Sequence, residues 1–235
     1  MNHPGSSLSR AARQILRRPI VAMVTDSHLY KKRGDEAVND LCASVAAVAE
    51  RAARAGVDLV QIRERSLEAA ALLELAARVR RATASTAVRM VINDRVDVAL
   101  AGSADGVHLP AAAPSCARVR TIVPDGFLIG RSVHSDIEAI AAEAAGGCDY
   151  LVFGTVYQSR SKPAGHSVAG LDALARVCRS VRLPVLAIGG ITVERVPEVV
   201  QAGAAGIAGI GLFAAGAQAE LDEAVARIRD AFEPS

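Results

Sequence analysis

The sequence predicts a single-domain α/β protein, a (β/α)8 or TIM barrel. Short apolar segments of strand length alternate eight times with segments of helical periodicity. The strand segments consist almost entirely of apolar residues, which is typical of parallel strands that are buried on both faces. A chain of 235 residues with 51% hydrophobic content is sufficient for one such barrel. An open doubly wound sheet is the alternative, although no G-x-G-x-x-G follows a strand.

The predicted strands and helices alternate along the chain, with a long loop from Gly154 to about Ala169 after the sixth strand. The strands are Ile20–Thr25, Asp58–Arg63, Val88–Ile92, Asp105–Leu109, Phe127–Gly130, Tyr150–Phe153, Val185–Ile188 and Gly206–Ile210. The helices cover about Glu36–Arg54, Leu67–Arg81, Val96–Ala101, Cys116–Ile122, Asp136–Ala145, Ala169–Val181, Thr192–Gln201 and Ala217–Phe232. We assign residues 20–235 to the barrel and residues 1–19 to a flexible basic N-terminal arm. A transit peptide or a membrane-surface helix is the alternative for that arm.

Four joints between a helix and the next strand share one pattern, which supports this assignment. They are Gly56-Val-Asp58, Ser103-Ala-Asp105, Gly147-Cys-Asp149 and Gly203-Ala-Ala205. Glycine can end a helix in a left-handed turn because it lacks a Cβ atom. A small or acidic residue then opens the apolar strand.

Composition excludes several classes of function. The net charge is +2, aromatic residues make up 3% and tryptophan is absent, so a nucleic-acid interface is not expected. No apolar run is long enough to span a bilayer. The four cysteines form no C-x-x-C pair, which argues against a zinc site or a redox pair. Disulfides are not expected without a signal peptide, and we predict a cytoplasmic protein.

The stretch Leu128–Ser135 contains the most informative polar cluster. It places Arg131, Ser132 and His134 where the fifth predicted strand gives way to a loop before a helix. Barrel enzymes carry their chemistry at the carboxyl ends of the strands. The sequence therefore predicts a site that includes Ser132 and His134. A surface or helix-capping histidine is the alternative interpretation.

Further polar residues follow the second and third strands. These are Gln61, Arg63 and Arg65, and then Asn93 and Asp94. Strand alternation places Gln61 and Arg63 on one side, toward the barrel interior. A buried arginine is rare unless it meets an anion, so Arg63 is predicted either to form an ion pair or to contact a ligand.

Two regions late in the chain predict anion binding. The loop after the sixth strand carries Ser159, Ser161 and Lys162, although an ordinary solvated loop is the alternative. The seventh and eighth strands end at Gly189-Gly190 and Ile210-Gly211. Glycines allow backbone N–H groups to approach a ligand, and barrels frequently bind phosphate after these two strands. The alternative is that these glycines serve only tight turns and bind no phosphate.

Together these segments resemble the thiamine phosphate synthase / TenI superfamily of barrels. The matching segments are Val24–Asp26, Gln61–Arg65, Ile92–Leu100, Ala104–Leu109, Gly130–Ser135, Asp149–Pro163, Ala187–Ile191 and Gly203–Gly211. They keep the family's order from about residue 20 to residue 215.

The resemblance implies one of two activities. The synthase couples hydroxymethylpyrimidine pyrophosphate to a thiazole phosphate with magnesium, and Asp94 would match one metal-binding acid. Ala113 stands where the family's V-H-L-G-Q-x-D segment has its second acid, and alanine supplies no oxygen ligand. Arg65 replaces the family's lysine, which keeps the charge but changes the geometry.

These departures make the chain more similar to the TenI-type thiazole tautomerases, which need no metal. Their R-E-R, N-D-R-V-D and S-V-H-S motifs are all present, and the resemblance implies that His134 is the acid–base residue. Imidazole suits this role because it exchanges protons near neutral pH.

We therefore expect a thiazole tautomerase of thiamine biosynthesis, an isomerase without a cofactor that binds a small-molecule thiazole phosphate. A magnesium-dependent thiamine-phosphate synthase is the alternative. A non-catalytic regulator that binds thiazole or thiamine phosphates is a second one. We expect neither a nucleic-acid nor a membrane partner, and the sequence leaves a homo-oligomer open.

Overall fold

The computed structural model describes residues 16, 18–29, 38–159, 167–214 and 216–233. Eight parallel strands close into a barrel in chain order, with the last strand paired to the first, which confirms the predicted fold. The strands are β1 Ile20–Val24, β2 Leu59–Ile62, β3 Arg89–Asn93, β4 Gly106–Leu109, β5 Leu128–Val133, β6 Tyr150–Gly154, β7 Val185–Ile188 and β8 Gly206–Gly209. The α-helices are α1 Val38–Arg54, α2 Ala69–Ala82, α3 Val96–Ala101, α4 Cys116–Arg120, α5 Asp136–Ala145, α6 Gly170–Ser180, α7 Val196–Gln201 and α8 Gln218–Asp230.

Apolar side chains separate into two clusters according to the face of the strand on which they lie. The inner cluster fills the barrel and includes Ile20, Leu59, Tyr150 and Leu186. The larger outer cluster lies between the strands and the helices. Because consecutive strand residues alternate between these clusters, a strand's sequence determines which side chains enter the barrel. Leu16, from the predicted N-terminal arm, packs against the inner cluster, while residues 1–15 and 17 lie outside the described part.

The recurring joints have a shared hydrogen-bond pattern. Asp58, Asp105 and Asp149 each donate their backbone N–H to a carbonyl of the preceding strand. Each carboxylate then accepts the N–H of that same partner residue, at 2.7 to 2.8 Å. Each also pairs with an arginine of a helix, as Asp149 does with Arg120. The acidic residue therefore anchors the start of one strand to its neighbour and to the helical layer.

The predicted end of β5 is wrong. Gly130 does not close this strand, which continues to Val133 and pairs with β6 through Gly130–Tyr150 and Ser132–Val152. A Cβ atom at Gly130 would lie 2.2 Å from the Tyr150 ring, so the glycine makes room for a large inner side chain. Sequence alone does not distinguish a glycine that ends a strand from one that admits close packing.

The expectation of no disulfide is also wrong. Cys116, the first residue of α4, is bonded to Cys148, which precedes β6, with a Cα–Cα distance of 5.4 Å. The two residues are 32 apart in sequence, and the fold brings them together because Gly147 packs directly against the backbone of Cys116 and Ala117. Cys42 and Cys178 are free.

In the described ranges, no helix is both long and apolar enough to cross a bilayer.

Candidate active site at the carboxyl ends of the strands

His134 lies just after β5, at the barrel rim where all eight strands end. Its Nδ1 is 3.0 Å from the carbonyl oxygen of Gly154, the last residue of β6. A carbonyl only accepts, so Nδ1 carries the proton in this bond and Nε2 is left to exchange a proton with a ligand. The imidazole is exposed. The geometry suits an oriented acid–base group.

The main chain around His134 is fixed by the start of α5. The backbone N–H of His134 donates to Glu138 Oε2 at 2.8 Å. Ser135 Oγ accepts the N–H of Glu138 at 3.1 Å and caps the helix. The capping role that was an alternative for His134 therefore belongs to Ser135.

Gln61 and Asn93 meet inside the barrel mouth, as strand alternation predicts for Gln61. Gln61 Nε2 donates to Asn93 Oδ1 at 2.9 Å, and Gln61 is 5% exposed. This bond orients two amide groups from adjacent strands toward one space. Each amide retains further donor and acceptor capacity that a ligand can use.

Arg63 lies beside this pair and carries charge without a carboxylate partner. Its backbone N–H is held by Thr25 Oγ1 at 2.9 Å. Across the described ranges, no carboxylate comes within 4.0 Å of its guanidinium. Burial, followed by the charge of Arg65, lowers the pKa of Arg63 from its usual range. The charges of Asp26 and Glu64 act in the opposite direction without forming an ion pair, and a ligand anion would add to their effect, which favours ligand contact over the ion-pair alternative.

A separate pocket of about 330 Å³ opens beside the ends of β2 and β3. Its lining includes Glu64, Arg65, Asn93, Asp94 and Arg95. Asp94 adopts a left-handed backbone conformation, with φ of 66°. One oxygen of the buried Glu64 accepts the N–H of Ser27, while its Oε1 has no partner among the described residues. Cations and carboxylates therefore share this pocket.

The residues present do not fit a magnesium site held by carboxylates at positions 94 and 113, the pair that the family resemblance assigns. Asp94 offers one, but Ala113 offers only a methyl group at the second predicted position. The loop carbonyls nearby are also engaged, since the Arg131 guanidinium donates to the oxygens of Ala111, Ala113 and Pro114. Within the described residues, no three His, Cys, Asp or Glu side chains converge on one point. A hard cation requires several oxygen ligands, which Asp94 and Ala113 together do not provide.

The same contacts correct the placement of Arg131 in the predicted polar cluster. Arg131 follows Gly130 on the outer face of β5, whereas Ser132 lies on the inner face. Its guanidinium is satisfied by the loop after β4 and has a structural role there. The cluster at this strand therefore consists of Ser132 and His134.

The glycine turn after β7 is built for close backbone approach. Gly189 and Gly190 have φ of 104° and 62°. A Cβ atom at Gly189 would lie 2.5 Å from Thr155, and one at Gly190 would lie 2.3 Å from the carbonyl oxygen of Gln158. The turn geometry by itself therefore requires both glycines, and phosphate binding there remains a prediction.

Ile210 and Gly211 follow β8 at the same rim. Gly211 begins a short 3-10 helix, Gly211–Phe213, and Ile210 packs against the inner apolar cluster. A Cβ atom at Gly211 would meet no atom within 4 Å, so this position is open. Its contribution to phosphate binding through the backbone also remains a prediction.

The loop after β6 reaches the glycine turn. Tyr157 donates to Glu198 at 2.9 Å, and Arg195 stacks over its ring at 4.5 Å while donating to the Gly190 carbonyl at 2.7 Å. Ser159, farther along, is described and half-buried. The predicted ligand residues Ser161 and Lys162 lie outside the described residues.

The sequence analysis did not single out His108 and Tyr150, two buried polar side chains near the predicted site residue Ser132. His108 Nε2 is 2.9 Å from Ser132 Oγ, and both rings are buried inside the barrel. The signal was available, because His108 and Tyr150 occupy inward positions by the alternation that was applied to Gln61. Both residues lie within mostly apolar strand segments, which indicate core positions rather than a functional site.

Comparison with known proteins identifies the family of this chain. Residues 35–213 match the family model described as thiamine monophosphate synthase. The chain is 46% identical over 162 residues to the putative thiamine-phosphate synthase of Geobacter sulfurreducens, covering 69% of this chain and 76% of that protein. It is 42% identical over 161 residues to the thiamine-phosphate synthase of Methanoculleus marisnigri, covering 68% and 76%.

A solved structure agrees with these relatives. The thiamine phosphate pyrophosphorylase from Pyrococcus furiosus superposes with a TM-score of 0.72 at 29% identity, covering 91% of this chain and 95% of that one. The names of the relatives favour the coupling reaction over the tautomerase reaction expected from the motifs. The family match, the relatives and the closed barrel together establish that this chain belongs to the thiamine monophosphate synthase family, a family of thiamine biosynthesis.

Proposed function

We propose that this chain is a metal-independent thiazole tautomerase that acts on a thiazole carboxylate phosphate. One observation carries the proposal: His134 is oriented through Nδ1 on the Gly154 carbonyl and keeps Nε2 open at the rim. The alanine at position 113 supports it, because a reaction driven by one imidazole does not need the second metal-binding acid.

The proposed reaction is an isomerisation, so its atoms balance within one substrate. Nε2 of His134 takes a proton from one position of the thiazole tautomer. The Gly154 carbonyl, which accepts from Nδ1, stabilises the resulting imidazolium. The same nitrogen returns the proton at the second position and leaves the ring aromatic, which supplies the driving force.

Other residues would hold the substrate. We assign the phosphate to the backbone N–H groups at Gly189, Gly190, Ile210 and Gly211, with Lys162 from the loop after β6. Arg63, which lacks a carboxylate partner within the described residues, would meet the substrate carboxylate. Gln61, Asn93 and Ser132 would orient the ring through hydrogen bonds.

The second candidate is a thiamine-phosphate synthase, and the names of the relatives favour it. In that case Arg65, Asp94, Ser159 and Ser161 would face the pyrophosphate of the pyrimidine substrate. Magnesium, when bound, would neutralise that leaving group. Asp94 is the acid that the family resemblance assigns to the metal, and the structure supplies no second carboxylate at Ala113.

Both reactions should be assayed side by side on the purified protein, with excess magnesium and with a chelator. The tautomerase proposal expects aromatised thiazole phosphate in both conditions and no pyrophosphate. His134→Asn should lose most turnover, by about 10²- to 10⁴-fold, the usual contribution of a general acid–base group. Ile137→Asn, an exposed change three residues away, is the matched control.

Other outcomes identify the alternatives. Magnesium-dependent release of pyrophosphate from the two substrates would establish the synthase. Ligand affinity without turnover in either assay would establish the non-catalytic regulator.

A further inference from the structure

A buried histidine and tyrosine lie inside the barrel directly below Ser132. His108 is 3% exposed and Tyr150 is 0% exposed, and their ring centroids are 5.8 Å apart. His108 Nε2 lies 2.9 Å from Ser132 Oγ. Ser132 is half-buried at the rim, two residues before His134. The imidazole therefore contacts the one hydroxyl of β5 that faces the ligand space.

Two polar atoms in this group have no partner among the described residues. They are His108 Nδ1 and the Tyr150 hydroxyl, and both are fully buried. Both adjoin Gly130, because a Cβ atom there would lie 2.6 Å from Nδ1 and 2.4 Å from the hydroxyl oxygen. The missing side chain of Gly130 leaves one small buried space that both atoms border, and the structure shows no direct hydrogen bond between them. A donor and an acceptor therefore face the same space, where a small shift of the Tyr150 ring or one bridging water would join them.

The protonation states of the two rings determine what each atom can do. Burial, followed by the charge of Arg63, lowers the pKa of His108 to about 3, so the ring is neutral under ordinary conditions. Burial raises the pKa of Tyr150, which therefore keeps its proton. A neutral imidazole has one N–H and one lone pair. If Tyr150 donates toward Nδ1, the imidazole proton must sit on Nε2 and point to Ser132.

We propose that His108 is a positioning residue that directs the Ser132 hydroxyl toward the ligand, with Tyr150 selecting the imidazole tautomer. Nε2–H of His108 donates to Ser132 Oγ, and the serine proton is then free to point toward the mouth of the barrel. The proposal rests on the proposed function only in placing a ligand beside Ser132. The contacts that orient the hydroxyl are formed within the protein and need no ligand.

The tautomer of His108 can be tested without any ligand. Long-range nitrogen–proton NMR spectra of the ¹⁵N-labelled protein should show the Nε2–H form. Tyr150→Phe, which keeps the ring and removes only the hydroxyl, should shift the His108 nitrogens or mix the tautomers. An Nδ1–H form in the wild type would overturn the proposal, and so would spectra unchanged by Tyr150→Phe.

A double-mutant cycle tests the functional consequence in whichever of the two reactions the wild type catalyses. His108→Leu should lower kcat about five- to tenfold, the equivalent of one hydrogen bond, with KM changed less than about twofold. His108→Gln, which retains a side-chain N–H donor, should recover part of this loss. In a Ser132→Ala background, His108→Leu should have no further effect on kcat.

If His108→Leu lowers kcat by the same factor with Ser132 present and in the Ser132→Ala background, the proposal is overturned, because His108 would then act independently of Ser132. Urea unfolding of each variant separates a loss of folded protein from a loss of positioning. If neither reaction is detected, the proposed function fails while the NMR result still decides the tautomer. The two failures are therefore distinguishable.

Discussion

Gly189 follows β7 and Gly211 follows β8, and each comes directly after an isoleucine. Only Gly189 has a positive φ, a backbone conformation that other residues rarely adopt. Gly189→Ala should lower the free energy of unfolding by about 1 to 3 kcal/mol, the usual cost of a strained backbone position. The reason is its φ of 104° and the contact of 2.5 Å that a Cβ would make with Thr155. Urea denaturation measures the change.

Gly211→Ala is the matched control, because a Cβ there meets nothing within 4 Å. Its free energy of unfolding should stay within about 0.5 kcal/mol of the wild type. Equal effects of the two substitutions would contradict the described turn. Affinity for inorganic phosphate, measured on both variants, would show whether Gly189 also matters for the anion.

His108 should make stability depend on pH. Its pKa is about 3 in the folded barrel against 6.5 for an ordinary histidine, so the unfolded chain binds more protons between those values. Stability should therefore fall as pH is lowered from about 6.5 toward 3, by at most about 1.4 kcal/mol per pH unit from this group. Denaturation at several pH values should show a shallower slope for His108→Gln. An identical slope would show that His108 does not titrate on unfolding.

At the scale of the elements, the acidic joints differ in how deeply their ion pairs are buried. Asp149→Ala should cost about 2 to 4 kcal/mol, because Asp149 accepts from Arg120 at 2.6 Å and from the N–H of Ile129 at 2.7 Å while only 13% exposed. Asp105→Ala should cost about 1 to 2 kcal/mol, because its pair with Arg80 spans 3.7 Å at 36% and 44% exposure. Urea denaturation, with the midpoints of both variants converted to free energies with a common m-value, measures the two losses. A larger cost at Asp105 would be inconsistent with this account.

The strands show which kinds of element can be located from sequence. Apolar runs located all eight, because parallel strands with two buried faces leave a strong compositional signal. Their boundaries differ from the prediction by at most one residue, except at Gly130, where the strand continues for three more residues. The prediction failed there because the role of Gly130 depends on Tyr150, a neighbour that only the closed barrel brings near.

At the scale of the whole molecule, the bond between Cys116 and Cys148 joins α4 to the start of β6. Its reduction should lower the free energy of unfolding by about 3 to 4 kcal/mol, the loop-closure contribution for a separation of 32 residues. Unfolding with and without a reductant measures this difference. Cys116→Ser should remove the response to reductant, and Cys42→Ser should retain it. A wild type that does not respond would argue against the pairing.

The candidate site was predictable to the extent that it depends on strand ends. Gln61, Asn93, Ser132 and His134 lie at the rim because parallel strands deliver their carboxyl ends to one side. Arg131, which adjoins Ser132 in sequence but was not predicted as a site residue, lies outside the site because its guanidinium binds loop carbonyls on the outer face. The inward position of His108 was predictable from strand alternation, but its contact with Ser132, 24 residues away in sequence, was not.

The sequence alone determined the number of strands, their order and the rim on which the polar residues lie. These follow from local periodicity and from glycines at helix ends, which need no knowledge of distant residues. Tertiary structure alone decided the hydrogen bond between His134 and Gly154, the bond between His108 and Ser132, and the pairing of Cys116 with Cys148. Each of these contacts joins residues from different parts of the barrel that lie 20 or more positions apart in sequence. Their distances are set by closure of the barrel, which no local pattern encodes.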